Sequence, residues 1–463
     1  MMTRILLAGI MLFSMIPLSA QVDSLETEIP VYRFRLYLTD KKKNDCSLKH
    51  PEKFLSAQSL ERRKRQRLTL NDTDLPISTH YLKKISKAGV KVISKSKWTN
   101  TVVIETSDSV YGSKLPEKLS FVRESRCVWC SPKPHGMQGL FPSFDKKDKQ
   151  NIRSEHPYGE AYAQCAQIGA DRLHEAGFRG KGMTIAVIDG GFQNADSIEL
   201  FRNTRILGTA NFVYPHTNLF DEHSHGTMVM SCMGANVPHY MIGTAPEASY
   251  WLLRSEDMSS EQPIEMDYWA AAIEFADSVG VDLVNSSLGY NKFDNPNDCF
   301  RYWHLDGKTL LISEVASMAA EKGMLVVNSA GNAGYETWRK LLVPGDANHI
   351  LTVGAVDKHG TGAGFSSIGY SADGRVKPDV CALGAMTVLV NEKGIIDRNN
   401  GTSFSAPVMC GGVACLWQAL PHLTVKEVLE LVRRHGDNAE HPDCIYGYGV
   451  PDLWKAYQEY IDM

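Results

Sequence analysis

After its first twenty residues, the sequence contains no apolar run long enough to cross a membrane as a helix. It also lacks an excess of positive charge, because its 49 lysine and arginine residues are outnumbered by 53 aspartate and glutamate residues. That balance argues against a nucleic acid as the main partner. With 43% hydrophobic and 22% charged residues, the chain has the composition of a protein that folds in water.

The first twenty residues differ from the rest of the chain. Arg4 is followed by an apolar run from Ile5 to Met15 and then by small residues that end at Ala20. This order is typical of a secretory signal peptide, so we predict one over residues 1–20. The alternative is a membrane anchor, but the run is shorter than the ~20 residues of a spanning helix. We therefore expect a secreted or periplasmic protein without a membrane span.

The ten cysteines do not have the dense spacing of a disulfide-rich scaffold. Cys127 and Cys130 form one Cys-x-x-Cys pair without a second, so a zinc site is not expected and we assign no metal ligands. One or two disulfides stay open as an alternative. Four cysteines lie among small and apolar residues, which predicts buried free thiols: Cys232, Cys381, Cys410 and Cys415.

The 463 residues suggest two or three folding units. Residues 21–129 predict a small α+β domain, and residues 130–156, rich in proline, glycine and charge, predict an exposed linker with a processing site. The basic run from Arg62 to Arg65 is interpreted as a solvated helix face rather than a nucleic-acid site. In this domain the patterns predict strands at 31–38, 90–93 and 101–105 and helices at 54–67 and 80–88.

Residues 157–463 form the largest segment, in which apolar strands alternate with helices. Near-continuous apolar strands are typical of a parallel sheet covered on both faces, so we predict an α/β domain with a mostly parallel sheet between helices. Thr424 and Glu427 have the spacing of a helix capping box. The predicted strands are 184–188, 249–253, 283–285, 325–328 and 350–353, and the predicted helices are 266–279, 310–322, 403–416 and 425–435.

Reactive side chains lie beside glycines at the ends of predicted strands, where sites form in open parallel sheets. Asp189 ends an apolar strand and precedes two glycines, although such an aspartate alone is more often a turn former. His225 is followed by Gly226 and Thr227, and its neighbour His223 lacks this context. We therefore select Asp189 and His225 as candidate functional residues.

Two further motifs supply an amide and a hydroxyl. Asn332 lies in a loop of small residues directly after a strand, where a ligand could approach the backbone. Ser403 opens a long apolar helix; a serine there is usually a cap, but the positive end of a helix also favours developing negative charge. Together the four residues supply a nucleophile, a base, an orienting acid and an oxyanion donor, which are the parts that acyl transfer needs.

Together, these motifs resemble the subtilisin-like serine proteases, whose chain order of Asp, His and Ser is the order found here. The likeness runs from about residue 168 to about residue 454. It implies a subtilisin-like layered α/β domain and a serine endopeptidase that is made as a secreted zymogen. Further matching pieces are Gly243-Thr244-Ala245-Pro246, Ser287-Leu288-Gly289 and Lys377-Pro378-Asp379-Val380.

The resemblance implies a role for each of the four residues. Ser403 attacks the scissile carbonyl, His225 carries the proton, and Asp189 orients the imidazole and stabilises its charged form. Asn332, with the backbone N–H of Ser403, stabilises the oxyanion. The reaction itself needs no cofactor.

The resemblance also implies a substrate cleft for polypeptides. Ser287, Leu288 and Gly289 line this cleft and pair with an extended peptide. Gly289, Ala330 and Gly331 form small walls around a pocket, which suggests room for a large apolar side chain of the substrate.

By position and size, residues 21–129 resemble the propeptide of such enzymes, which acts as an intramolecular inhibitor until it is cut off in the linker. Members of the family often bind calcium, so a structural calcium ion stays open as an alternative. An oxygen-rich loop lacks EF-hand spacing and is interpreted as a solvated loop: Asp294, Asn295, Asn297 and Asp298.

Two other functions compete with the endopeptidase. The first is a catalytically silent subtilisin fold that binds peptides, and the four intact residues argue against it. The second is an α/β-hydrolase esterase, whose Gly-x-Ser-x-Gly motif and Ser…Asp…His order do not fit this chain.

Overall fold

The structure is a computed structural model that describes residues 29–131 and 150–462. The predicted signal peptide and most of the predicted linker lie outside these residues. Among the described helices, none combines the length and the apolar character of a membrane span.

Residues 29–131 form an N-terminal domain built on a four-stranded antiparallel sheet. Its strand order is β2-β3-β1-β4. Phe34, Leu36 and Ile104 of the sheet pack with Tyr81 and Ile85 of a helix in a core of their own. The elements are β1 (Tyr32–Leu38), α1 (Ala57–Arg65), α2 (Thr79–Lys87), β2 (Lys91–Ser96), β3 (Thr101–Thr106), α3 (Ser109–Ser113), α4 (Leu115–Lys118) and β4 (Val122–Cys130).

Residues 150–462 form a C-terminal domain around a seven-stranded parallel sheet with the order β13-β12-β11-β10-β5-β9-β6. The elements are α5 (Tyr162–Gln167), α6 (Ala170–Glu175), β5 (Thr184–Asp189), β6 (Arg205–Asn211), α7 (His225–Gly234), β7 (Asn236–Val237), β8 (Met241–Ile242), β9 (Ser249–Arg254), α8 (Glu265–Val279), β10 (Leu283–Ser286), α9 (Leu311–Glu321), β11 (Leu325–Ser329), β12 (Leu351–Val356), β13 (Val380–Leu383), β14 (Thr387–Val390), β15 (Ile396–Asn399), α10 (Thr402–Ala419), α11 (Val425–Arg434) and α12 (Leu453–Asp462).

Helices cover both faces of this sheet. Along β5, Ile185 and Val187 belong to the core shared with α7 and α10, whereas Ala186 and Ile188 belong to the core shared with α8 and α9. All four side chains are buried, which explains why the strand reads as a continuous apolar run. The predicted α/β architecture, the five predicted strands and the capping box at Thr424 are confirmed.

The two domains meet along helix α8, which turns a row of acidic residues toward the N-terminal domain. Asp267 accepts two hydrogen bonds from the guanidinium of Arg35, at 2.7 and 2.6 Å. Glu274 accepts from the backbone N–H groups of Lys97, at 2.7 Å, and Trp98, at 3.0 Å. The spacing of seven and then three residues from Asp267 to Glu274 to Asp277 keeps the row on one side of the helix.

The interpretation of the basic run as a solvated face is wrong for Arg62 and Arg63, which are only 2% and 3% exposed. Both pair with Asp277, and Arg63 also pairs with Asp74 at 2.8 Å. A buried charge requires such partners because it has lost its water. Lys64, by contrast, is exposed as predicted.

All ten cysteines lie within the described residues, and all are free thiols. The prediction of buried free thiols is therefore confirmed, and the alternative of one or two disulfides is not realised. The four predicted positions are Cys232, Cys381, Cys410 and Cys415.

Asp277 is expected to hold the two domains together. Burial alone would raise its pKa, but Arg62, Lys97 and Arg63 lower this pKa to about 2. In a full-length chain that carries Ser403→Ala to keep the domains joined, Asp277→Asn should reduce the free energy of unfolding in urea by about 3–5 kcal/mol, because it leaves buried cations unpaired.

The matched control is Glu61→Gln on α1, since the Glu61 side chain is 68% exposed. This substitution should change the free energy of unfolding by less than about 0.5 kcal/mol. Equal effects of the two substitutions would show that the buried ion cluster does not stabilise the domain interface.

Candidate active site

The candidate site forms at the carboxyl ends of the parallel strands. Asp189 is the last residue of β5 and is buried. Its two carboxylate oxygens lie 2.9 and 3.0 Å from Nδ1 of His225, the first residue of α7. The N–H of Gly190 also donates to Asp189, at 2.8 Å. The two residues selected from the sequence therefore lie beside each other, and the hydrogen-bond partner of Asp189 is His225, not His223.

This pairing depends on a close approach of α7 to the end of β5. A Cβ atom on Gly226 would lie 2.4 Å from the carbonyl oxygen of Gly191 and 2.9 Å from Cβ of Asp189. No side chain fits at that distance, so the glycine after the histidine allows the helix to reach the strand.

Asp189 also sets the charge state of His225. Burial lowers the pKa of the imidazole, but the charge of Asp189 and its hydrogen bond raise it, and the net result is a pKa above the usual 6.5. The imidazole is therefore tuned to accept a proton more readily than a free histidine does.

Ser403 lies in the first turn of α10, beside the same strand ends. Its hydroxyl donates to the backbone carbonyl of Ser287 at 3.4 Å, and the hydroxyl of Ser287 donates to the carbonyl of Ser403 at 2.8 Å. The ring of the next residue, Phe404, lies 5.9 Å from the imidazole of His225. The serine and the histidine thus share one edge of the sheet.

Asn332 is oriented by a residue that the sequence analysis did not select. Its Oδ1 accepts from both the backbone N–H and the hydroxyl of Thr402, each at 2.9 Å. An amide whose oxygen is held in this way has its Nδ2 group free to donate elsewhere. The hydroxyl of Thr402 also accepts from the N–H of Gly331, at 3.1 Å. The only feature of the sequence that could have pointed to Thr402 is its position directly before Ser403.

A cavity of about 260 Å³ is lined by Ser403 and Asn332. Ser287, Leu288, Gly289 and Gly331 line it, as the sequence predicts for a substrate cleft. Ala330 does not line the cavity but packs in the core beside α8 and α9.

The backbone at Gly331 helps to shape the cavity. Its φ of +104° is unfavourable for residues with a side chain, and a Cβ atom there would lie 2.5 Å from Leu342. The carboxylates of Glu256, Glu261 and Glu336 also line the cavity, which the sequence analysis did not anticipate.

The loop considered for calcium uses its side-chain oxygens in hydrogen bonds. Asp294 accepts from the backbone N–H of Glu261 at 3.1 Å, Asn295 accepts from the N–H of Asn297 at 3.2 Å, and Asp298 accepts from the side chain of Asn295 at 3.0 Å. Calcium needs six to eight oxygens that converge on one point. The acceptor oxygens of the three hydrogen bonds instead belong to a largely exposed loop.

Comparisons with known proteins identify the family of both domains. Residues 180–449 match the model of the "Subtilase family", and residues 33–136 match the "Peptidase S8 propeptide domain, Bacteroidota". Serine protease AprX of Bacillus subtilis (strain 168) is 30% identical over 301 residues, which is 58% of this chain and 65% of AprX. Subtilisin NAT of Bacillus subtilis subsp. natto is 28% identical over 323 residues, which is 68% of this chain and 76% of that protein.

Solved structures show the same fold. The epidermin leader peptide processing serine protease (EpiP) from Staphylococcus aureus superposes with a TM-score of 0.60 at 18% identity, over 82% of this chain and 96% of that chain. MycP1 with its N-terminal propeptide removed gives a TM-score of 0.51 at 21% identity, over 64% of this chain and 96% of that chain. Because one family model covers more than half of the sequence and a propeptide model precedes it, the chain belongs to the subtilase family of serine endopeptidases.

Proposed function

We propose that this protein is an exported serine endopeptidase, made as a zymogen, that hydrolyses polypeptides through an acyl-enzyme. The observation that carries the proposal is the contact between Asp189 and His225 at 2.9 Å, at the sheet edge where α10 presents Ser403. Within the subtilase family, this arrangement supports a triad of these three residues.

In the proposed reaction, Oγ of Ser403 attacks the carbonyl carbon of the peptide bond while its proton passes to Nε2 of His225. Asp189 stabilises the imidazolium that forms. The tetrahedral intermediate collapses when His225 gives the proton to the leaving nitrogen. Water then attacks the acyl carbon while His225 takes its proton. The bond from this carbon to Oγ of Ser403 breaks as His225 returns the proton to Oγ, and the carboxylic acid product leaves. The Ser403 hydroxyl now donates to Ser287, so it must turn toward His225 when substrate binds, as catalytic hydrogen bonds often tighten only in the complex.

The negative charge on the carbonyl oxygen needs donors in the intermediate. We propose Nδ2 of Asn332 and the backbone N–H of Ser403 for this role. The support is the pair of hydrogen bonds that Thr402 donates to Oδ1 of Asn332, because they leave Nδ2 available as a donor at the cavity that Asn332 lines. Every proton and electron pair in this scheme moves between protein, peptide and water, so we propose that the chemistry uses no cofactor.

We propose that the N-terminal domain inhibits the enzyme until it is cut off. Its last strand, β4, ends at Gln262, the neighbour of the cavity residue Glu261. The backbone N–H and carbonyl of Cys130 bond the side chain of Gln262 at 2.9 and 3.0 Å. The buried ion pairs on α8 hold the domain in place. Cleavage in the segment 130–156 and removal of a signal peptide over residues 1–20 complete this proposal.

Self-processing tests the function directly. The full chain should lose its N-terminal domain on a gel, and its Ser403 should react with a fluorophosphonate probe. Ser403→Ala should stay full length and unlabelled, whereas Ser197→Ala, at an exposed serine, should behave like the unmodified chain. A catalytically silent peptide-binding protein, the alternative function, would give neither processing nor labelling in any of the three chains.

Thr402 is expected to act as a positioning residue through Asn332. Thr402→Val removes the hydroxyl that donates to Oδ1 of Asn332, so it should lower kcat about tenfold while KM changes little, since the lost bond matters most in the transition state. Thr402→Ser keeps the hydroxyl and should restore most of kcat. Asn332→Leu should cost about 10²–10³ in kcat, the size known for such donors in this family.

Steady-state kinetics on one peptide substrate check this prediction. If Thr402→Val and Thr402→Ser lower kcat equally, or if both mainly raise KM, the hydroxyl of Thr402 does not position the oxyanion donor.

A further inference from the structure

The cavity in front of Ser403 has acidic residues that the proposed triad does not use. Glu256 and Glu261 line the cavity, and Glu265 is the first residue of α8. One ligand oxygen from each of the three carboxylates lies within 4.8 Å of the others. We call Glu256, Glu261 and Glu265 the acidic wall.

The acidic wall has no cationic partner among the described residues, in contrast to the third carboxylate of the cavity, Glu336, which pairs with Lys292 at 2.6 Å. The charged groups that shift the pKa values of the wall are themselves carboxylates. Burial and Glu261 raise the pKa of Glu256 to about 8, burial and Asp294 raise that of Glu261 to about 7, and burial and Glu256 raise that of Glu265 to about 11. A bound cation would favour the charged form of these carboxylates and lower their pKa values.

The hydrogen bonds of the wall leave one buried oxygen without a partner among the described residues. Oε1 of Glu256 accepts from the hydroxyl of Tyr290, and Oε1 of Glu265 accepts from the N–H of Asp257 at 2.9 Å. Glu265 is only 1% exposed, and its Oε2 is buried without a hydrogen-bond partner among the described residues. Buried acceptors without partners are rare, and they destabilise the folded protein. This oxygen therefore indicates that a ligand could supply a hydrogen-bond donor here.

A peptide segment already runs beside the residues that lie between Glu261 and Glu265 in the chain. Strand β4 lies antiparallel to residues 262–264, because the N–H of Ile264 donates to the carbonyl of Val128 at 3.0 Å and Gln262 bonds the backbone of Cys130. The described end of β4 therefore lies at Gln262, the residue next to Glu261 of the cavity. A substrate that follows the same path would carry the residues before its scissile bond along the acidic wall.

We propose that the acidic wall binds the charged side chain of a lysine or arginine in the peptide substrate, on the N-terminal side of the bond that is cleaved. This inference rests on the proposed function. Leu288 and Leu342 line the same cavity and offer apolar surface for the aliphatic stem of such a side chain. A guanidinium can donate to two carboxylates at once.

A calcium ion is the competing occupant. The wall brings together one oxygen from each of three carboxylates, fewer than the six to eight oxygens that calcium takes. A basic side chain fits better, because it needs only two or three acceptors and enters with the substrate itself.

Matched peptides test the proposal on the full chain after it has processed itself. The peptides differ only by arginine or its uncharged analogue citrulline at one of the four positions before the cleaved bond. At one position at least, arginine should raise kcat/KM about 10- to 100-fold, as expected for hydrogen bonds to charged groups. Glu256→Gln combined with Glu261→Gln should bring this ratio close to one, whereas Glu440→Gln, at an exposed position, should preserve it.

The outcomes separate the two proposals. Equal cleavage of arginine and citrulline peptides at all four positions would refute the acidic wall as a specificity site but would leave the proposed endopeptidase function standing. This comparison uses the unmodified enzyme alone. Failure to cleave any peptide or to react with a fluorophosphonate would refute the endopeptidase itself. A rise in the Tm of Ser403→Ala with calcium chloride that Glu256→Gln abolishes would identify calcium as the occupant and overturn the proposal.

Discussion

The carboxylate of Asp189 is buried at the end of β5, and a buried carboxylate is stable only with close partners. His225 and the N–H of Gly190 supply them. This requirement fixes much of the surrounding structure, since α7 must begin at His225 and must lack a side chain at Gly226 to come close enough. The parallel sheet then brings α10 and the loop after β11 to the same edge.

A second set of buried charges ties the N-terminal domain to the enzyme domain. Asp267, Glu274 and Asp277 lie along one side of α8 and bind groups of the N-terminal domain. Such pairs are stable while both members are present, but removal of one domain exposes three carboxylates to water. The same interface therefore holds the domain firmly before cleavage and leaves a well-solvated surface after it.

Apolar runs are local signals, so the sequence predicted five of the seven strands of the parallel sheet and its main helices, but not β6 and β13. The pairing of Asp189 with His225 followed from the resemblance to the subtilisin-like proteases. The sequence missed what depends on distant partners. Arg62 is buried through Asp277, 215 residues away, and no local pattern reports such a pairing. Strand β4 carries charged residues on its exposed side, so its apolar signal is weak. Glu256 and Glu261 come near Ser403 only through the fold.

The pairing of Asp189 with His225 can be measured without turnover. In a Ser403→Ala chain with ¹⁵N-labelled histidine, assigned with His225→Gln, the account predicts that the His225 imidazole titrates above pH 6.5 and that Asp189→Asn shifts this titration to lower pH, since a neutral amide no longer stabilises the imidazolium. A titration at or below pH 6.5, or one that Asp189→Asn leaves unchanged, would contradict the account.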